Sequence, residues 1–96
     1  MNAIKFEWDG IKNRENQRKH KVSFEEAKSV FYDDKARLIL DPDHSEKEDR
    51  FILLGWSDKL RILIVVHSYQ EKHEVIRIIS ARKATKKETK FYERSK

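Results

Sequence analysis

Residues 50–82 read RFILLGW-SDK-LRILIVVHSY-QEKH-EVIRIISAR and contain three apolar runs, 50–56, 60–69 and 74–82, separated by short polar gaps. Apolar runs of this length, rich in Ile, Leu and Val, are typical of β-strands. Gaps of three and four residues are hairpin lengths, so the three strands form an antiparallel meander. The middle run is apolar on both of its faces, which predicts a central strand that is covered on both sides.

The N-terminal segment predicts one strand and one unusually polar helix. Ile4, Phe6 and Trp8 alternate with Lys5 and Glu7, which indicates a half-buried strand that ends at residues 9–10. A helix so poor in apolar side chains is unstable alone, so it must contact the sheet through polar groups or line a site. The predicted helix covers residues 11–20, IKNRENQRKH. Asn13, Asn16 and His20 lie on one face of it, and Lys12 and Lys19 lie beside that face.

Two capping boxes predict the starts of two further helices. Ser23 and Glu26 begin a second helix that ends near residues 32–34, and Thr85 and Glu88 begin a short C-terminal helix. Residues 36–41, ARLILD, form a further strand between them. The predicted order is β-α-α-β-β-β-β-α, an α+β fold with an antiparallel sheet and the two N-terminal helices on one face, in a single domain spanning residues 1–96.

Composition limits the classes of function. The chain has 96 residues and a formal charge of +5, which favours a polyanionic partner: nucleic acid, an acidic protein or a phosphate surface. The absence of cysteine excludes disulfides, thiolate metal sites and cysteine nucleophiles. No apolar run approaches the ~20 residues of a membrane span. The N-terminus has no signal-peptide pattern, so we expect a cytoplasmic protein without a membrane partner.

The four histidines do not have the spacing of metal ligands, and no nucleotide-binding or acyl-transfer motif is present. We therefore expect neither a metal nor another cofactor. His44 lies near Glu48 in a polar connection, where it serves either acid–base catalysis or the capping of a turn. His20 ends a helix, where interaction with the helix dipole and a functional role are equally good explanations.

The arginines are more informative. Arg50 and Arg61 open two strands, Arg77 and Arg82 flank the last one, and Lys83 continues the basic segment. A guanidinium group is permanently charged and can donate two parallel hydrogen bonds to two oxygens of one phosphate. These residues are therefore candidates for binding RNA or phosphate. The alternative is that they pair with carboxylates such as Glu7, Glu48, Asp49 and Glu74. Arg77 and Arg82 are five residues apart, so a regular strand directs them to opposite faces. They can share a site only if Arg82 lies beyond the last paired residue or a bulge intervenes.

Four segments occur in an order that resembles the BrnT family of bacterial toxins. They are FEWD at 6–9, KN..N..KH.VSFEEA..VF.D at 12–33, HS..E.R at 44–50 and IRIISARKAT..E...Y at 76–92. The resemblance spans nearly the whole chain. It implies a RelE-like fold and a ribonuclease that arrests growth by cleaving RNA without a metal, using the RNA 2′-hydroxyl as the nucleophile.

The resemblance also implies partners. A BrnA-like antitoxin with a ribbon-helix-helix domain would neutralise the toxin. A toxin homodimer would form a heterotetramer with two antitoxins, and operator DNA would be bound only through that complex.

Residue by residue, the resemblance makes Arg82 the first choice for contacting the scissile phosphate. Lys19 and His20 match the family's KH pair, and the loop-and-strand motif is matched by His44, Glu48 and Arg50. One departure is Tyr69-Gln70, where many relatives carry an arginine. Three hypotheses follow: an active endoribonuclease, a non-catalytic module that binds antitoxin or nucleic acid, and a basic scaffold domain with ion pairs only.

Overall fold

The computed structural model describes residues 4–40 and 50–94, and its elements follow the predicted order. Strand β1 is followed by helices α1 and α2, by the strands β2 to β5 and by helix α3, which confirms the α+β fold. Their bounds are β1 Lys5–Glu7, α1 Gly10–His20, α2 Phe24–Ser29, β2 Arg37–Leu40, β3 Arg50–Trp56, β4 Ile62–Gln70, β5 Val75–Lys83 and α3 Lys86–Glu93, with short 3-10 helices at Val30–Tyr32 and Glu71–His73. Within these described ranges, no helix is long and apolar enough to cross a bilayer.

The five strands form one sheet in the order β1-β5-β4-β3-β2. Strands β2 to β5 are antiparallel neighbours, as the meander predicted. The prediction of a fully antiparallel sheet is wrong, because β1 pairs in parallel with β5, with Lys5 opposite Val75 and Glu7 opposite Arg77. Helices α1 and α2 and strands β2 to β4 separate these two strands in sequence, and this connection is well above the roughly dozen residues that parallel pairing requires.

The central strand β4 is covered on both faces, as predicted. On one face, which we call the helical face, Leu63 and Val65 of β4 pack with Phe24 and Ala27 of α2, and all four are fully buried. On the other face, the open face, Ile64 and Leu54 pack against Tyr92 of α3. Within the described residues, helix α3 contacts the open face through Tyr92, at the end of the sheet that carries Leu54 and Ile64.

The polar helix α1 is held to the sheet by asparagine side chains. Asn16 is 7% exposed; its Nδ2 donates to the carbonyl oxygens of Val22 and Ala81, both at 2.8 Å, and its Oδ1 accepts from the Ala81 amide at 3.2 Å. Asn13 Oδ1 accepts from the Phe24 amide at the start of α2 at 2.9 Å. The amide of Asn16 thus supplies the donor and acceptor that a neighbouring strand would offer to β5.

Side-chain caps fix the helix starts. Asp9 Oδ1 accepts from the Ile11 amide at the start of α1, and Ser23 Oγ accepts from the Glu26 amide at 3.0 Å. The capping box of α3 is complete, with Thr85 and Glu88 each bonded to the other's backbone amide. The box predicted for α2 is only half formed, because the Glu26 carboxylate binds Arg61 and Ser57 instead of turning back to the cap. A permanent cation is a stronger partner for a carboxylate than a neutral amide is.

Asp33 joins α3 to the sheet. Its Oδ2 accepts from the Trp56 amide at 2.9 Å and from the Tyr92 hydroxyl at 2.7 Å. Burial and the nearby Asp33 carboxylate raise the pKa of Tyr92 to about 12, so this hydroxyl stays a donor at neutral pH. Gly55 lies beside this junction, and a Cβ placed there would be 2.8 Å from Asp33 Oδ2.

Candidate functional site

A β-bulge in β5 brings two of the predicted arginines to the same face. Ser80 lies opposite Val66 and Ile78 lies opposite His67, so Ile79 is the extra residue. An extra residue shifts the alternation of side chains by one position. Arg77 and Arg82 are five positions apart and, because of the bulge, both belong to the open face. A bulge was one of the conditions under which the sequence allowed the two side chains to share a face.

The register across the sheet places two more arginines on this face. Arg77 lies opposite Ser68, which lies opposite Arg50. Arg82 lies opposite Ile64, and the same row continues through Leu54 to Arg37. Between the two rows lies an uncharged row formed by Ile39, Ile52, Val66 and Ser80. The open face is therefore a strip of small and apolar side chains bordered by two arginine-bearing rows.

Both arginines of β5 have carboxylate partners. Arg82 binds Glu88 through two nitrogens, at 2.8 and 2.9 Å, and this pair is the main cause that lowers the pKa of Glu88 to about 2. Arg77 contacts Glu7 at 2.9 Å, and both of these side chains are about two-fifths exposed (40% and 44%). An exposed ion pair with a single contact, such as Arg77–Glu7, contributes only ~0.2–1 kcal/mol, so a phosphate group can displace it.

Arg61 has a structural environment that differs from that of the other arginines. Its Nε donates to Glu26 Oε2 at 2.9 Å, a second nitrogen contacts Glu26 Oε1, and the same nitrogen donates to the Lys21 carbonyl oxygen at 3.0 Å. The Glu26 side chain is 1% exposed and also accepts from the Ser57 hydroxyl at 2.7 Å. Burial raises the pKa of Glu26, but the hydrogen bonds from Arg61 and Ser57 outweigh it and lower the pKa below its ordinary value.

Arg61 therefore neutralises a buried carboxylate that would be costly without it. RNA binding by Arg61 stays a prediction, and it would require the guanidinium group to leave Glu26.

A cleft of about 240 Å³ lies between α1 and β5, and it contains two of the predicted catalytic residues. Strand β1 covers the outer edge of β5 as far as Arg77, and Asn16 covers it at Ala81. The cleft opens between these points, at the bulge. It is lined by Lys12, Glu15, Asn16, Arg18, Lys19, His20, Ile79 and Ser80.

The remaining predicted site residues fall elsewhere. His44 and Glu48 lie outside the described residues. Lys83 is exposed and lies opposite Leu63 of the helical face, so the alternation directs it away from Arg82. Within residues 4–40 and 50–94, no group of three His, Cys, Asp or Glu side chains is placed to hold a metal ion.

Tyr69 and Gln70, where the sequence differs from many relatives, lie on opposite faces of the sheet. Tyr69 lines an apolar groove on the helical face together with Ile4, Leu38 and Phe51. Gln70 is exposed and lies opposite Val75, on the open-face side of the alternation and next to the row of Arg77. An arginine at this position would extend the cationic border, and glutamine removes that charge.

Sequence reasoning missed several residues of this site, among them Glu15 and Arg18 of the cleft, Ser80 and Glu88. Ser80 enters the site because of the bulge, for which the sequence carries no recognisable signal. Glu88 was recognised as a capping residue, but its pairing with Arg82 was not. The sequence did contain a signal for this pair. The capping box places the Glu88 carboxylate just beyond the end of β5, within reach of a basic residue such as Arg82.

The fold and this site define a class: a small α+β domain with arginines on one face of its sheet and an adjoining cleft lined by basic residues. A model of the family described as "Ribonuclease toxin, BrnT, of type II toxin-antitoxin system" matches residues 8–88. The chain belongs to this family.

The fold is also similar to that in a crystal structure of the Brucella abortus ribonuclease toxin BrnT. The two chains are 23% identical, with a TM-score of 0.65 over 88% of this chain and 100% of the other. No protein of curated function matches the chain.

Proposed function

We propose that this toxin is an endoribonuclease that cleaves RNA without a metal ion. The observation that supports the proposal most directly is the bulge at Ile79, which directs Arg77 and Arg82 to one face beside a cleft that contains Lys19 and His20. Permanent cations on a rigid sheet can bind a phosphodiester and stabilise the negative charge that grows on it during cleavage.

In the proposed reaction the RNA 2′-oxygen attacks the adjacent phosphorus and the bond from phosphorus to the 5′-oxygen breaks. The products are a 2′,3′-cyclic phosphate and a 5′-hydroxyl. Arg82 contacts the scissile phosphate after exchanging Glu88 for it, while Arg77 and Arg50 bind neighbouring phosphates. His20 accepts the 2′-hydroxyl proton, and the departing 5′-oxygen takes up a proton from Lys19 or from solvent water. His44 and Glu48 are the alternative acid–base groups.

Membership of a type II family implies that an antitoxin is the partner. We propose that it is a BrnA-like ribbon-helix-helix protein, and that two toxins and two antitoxins form the inactive complex. Operator DNA is bound only through that complex, and the reaction takes place in the cytoplasm.

The experiment is a comparison of RNA cleavage by the purified wild type and three variants in the presence of EDTA. Arg82→Ala should lose roughly 10²–10³-fold in rate, which is typical for the removal of one donor to a developing oxyanion. Glu88→Gln breaks the ion pair with Arg82 but keeps the Arg82 side chain, and glutamine still caps α3. It therefore distinguishes a loss of the phosphate-binding group from a loss of the ion pair. Glu88→Gln should keep its cleavage activity, and so should the control Arg14→Ala, which changes an exposed residue outside the cleft lining.

Equal cleavage by wild type and Arg82→Ala, or equal losses in Arg82→Ala and Glu88→Gln, would contradict the role of Arg82. A wild type that never cleaves, yet binds RNA with an affinity that falls steeply with salt, would support a second candidate function. That candidate is a non-catalytic module that binds antitoxin or nucleic acid. Gln70 favours it, because the position lacks the arginine that many relatives carry.

A further inference from the structure

The cleft between α1 and β5 has the composition of a site for a nucleotide rather than for a bare anion. Its cations, Lys12, Arg18 and Lys19, are accompanied by the carboxylate of Glu15, which would repel an isolated phosphate. Ile79 adds an apolar surface and Ser80 adds a hydroxyl. A nucleotide presents matching groups, because it combines a phosphate, a polar sugar and a flat base with hydrogen-bonding edges.

The size of the cleft limits how much RNA enters it. Its volume of about 240 Å³ is below the ~300–1,000 Å³ of pockets that hold drug-sized ligands such as a whole nucleotide, so it suits one base with part of its sugar, with the phosphate at the rim. Single-stranded RNA is recognised by proteins in this manner, with unstacked bases bonded through their Watson–Crick edges.

The place of the cleft along β5 indicates which nucleotide it holds. The cleft floor lies at the bulge, between the strand positions of Arg77 and Arg82, and His20 is part of its wall. An RNA strand with its scissile phosphate at Arg82 therefore has an adjoining nucleotide at the cleft, where its 2′-hydroxyl can meet His20.

We propose that this cleft binds the nucleotide that carries the attacking 2′-hydroxyl, and that Glu15 selects guanosine at this position. This inference rests on the proposed ribonuclease function. Guanine has two adjacent N–H donors on its Watson–Crick edge, N1–H and N2–H, which match the two oxygens of a carboxylate. Uracil has one such donor, and adenine and cytosine each have a single amino group beside an acceptor that a carboxylate repels. Lys12 and Lys19 bind the flanking phosphate of the same nucleotide.

The test uses short oligoribonucleotides with one variable nucleotide, G, A, C or U, in an otherwise constant context. Wild type should cleave after G roughly 10–100-fold faster than after the other three, the discrimination typical of one bidentate contact to a base. Glu15→Gln should reduce this preference to threefold or less (our criterion), because its amide offers one acceptor and adds a donor. Arg14→Ala, a matched control on the same helix, should retain the full preference. Both positions are exposed, so neither substitution should affect folding.

A second arm measures binding of the same oligonucleotides with 2′-deoxyribose at the variable position, which removes the nucleophile. If wild type cleaves RNA but Glu15→Gln keeps the wild-type preference, the cleft inference is overturned while the ribonuclease function stands. If wild type cleaves no RNA, but binds the oligonucleotide with G most tightly and only when Glu15 is present, the cleft inference is supported and the proposed ribonuclease function is overturned. If the binding arm shows no effect of Glu15 on base preference, the cleft inference is again overturned.

Discussion

Asn16 offers a direct test of how a helix with almost no apolar surface stays attached to the sheet. The perturbation is Asn16→Ala. This substitution removes the two hydrogen bonds donated to Val22 and Ala81 and the one accepted from the Ala81 amide. All three groups are buried, so water does not replace the lost partner without local opening of the structure.

The expected loss follows from three buried hydrogen bonds. Each contributes about 1 kcal/mol net, and an orphaned buried group costs about 1–3 kcal/mol, which gives a total of about 3–5 kcal/mol. Alanine is the better helix former and returns up to ~0.7 kcal/mol. The free energy of unfolding should therefore fall by about 3 kcal/mol. For a domain of 96 residues, this corresponds to a decrease in Tm of about 12–24 °C.

Asn16→Asp tests the geometry more sharply. It keeps the acceptor for the Ala81 amide but turns a carboxylate oxygen toward two carbonyl oxygens, those of Val22 and Ala81. We expect it to be at least as destabilising as alanine at pH 7, and to recover as the carboxyl group is protonated at lower pH.

Equilibrium unfolding in urea, followed by circular dichroism, measures both variants. Arg14→Ala at an exposed position of the same helix is the control and should change the free energy of unfolding by no more than about 0.5 kcal/mol. The reasoning is refuted if Asn16→Ala costs under about 1 kcal/mol, or if Asn16→Asp is as stable as wild type at pH 7.

Two further predictions concern stability. The pKa of Glu88 is about 2 in the folded chain against an ordinary value of 4.5, so its ionised form stabilises the fold above pH 4.5 and this contribution is lost as the pH falls toward 2. The difference in unfolding free energy between wild type and Glu88→Gln should therefore shrink from pH 7 to about pH 2 in urea titrations; a constant difference would argue against the Arg82–Glu88 pair. Gly55→Ala places a Cβ 2.8 Å from Asp33 Oδ2 and 3.0 Å from Ala36 Cβ, so calorimetry should show a loss of about 1–3 kcal/mol. An unchanged Tm would contradict this prediction, because Asp33 and Ala36 would then have moved away from the added Cβ at no cost in stability.

Much of the fold was predictable because local patterns agree with it. The apolar run at residues 50–56 coincides with β3, and the box at Thr85 begins α3 as expected. The order of elements followed from apolar runs, the gaps between them and the capping boxes. The parallel pairing of β1 with β5 could not be predicted in this way, because no local signal connects residues 5–7 with residues 75–77.

The site was less predictable, since it depends on contacts between distant residues. The sequence identified Arg61 as a strand-opening cation, but its partner, Glu26, lies 35 positions away and was assigned to a helix cap. The bulge at Ile79 decides whether Arg77 and Arg82 share a face, and no residue type in this apolar run indicates it. Lys19 and His20 were identified by resemblance, and their location beside Ser80 required the structure.

The hydrogen bonds between Asn16 and Ala81 also bear on the point in synthesis at which the chain acquires the proposed activity. The contacts that complete the cleft join residues 65 positions apart, Asn16 and Ala81, and closing a loop of this length costs about 4 kcal/mol of chain entropy. Such distant contacts form late in folding. A nascent chain that has not yet reached Ala81 has no cleft and lacks Arg82, so the proposed activity begins only after synthesis has passed these residues.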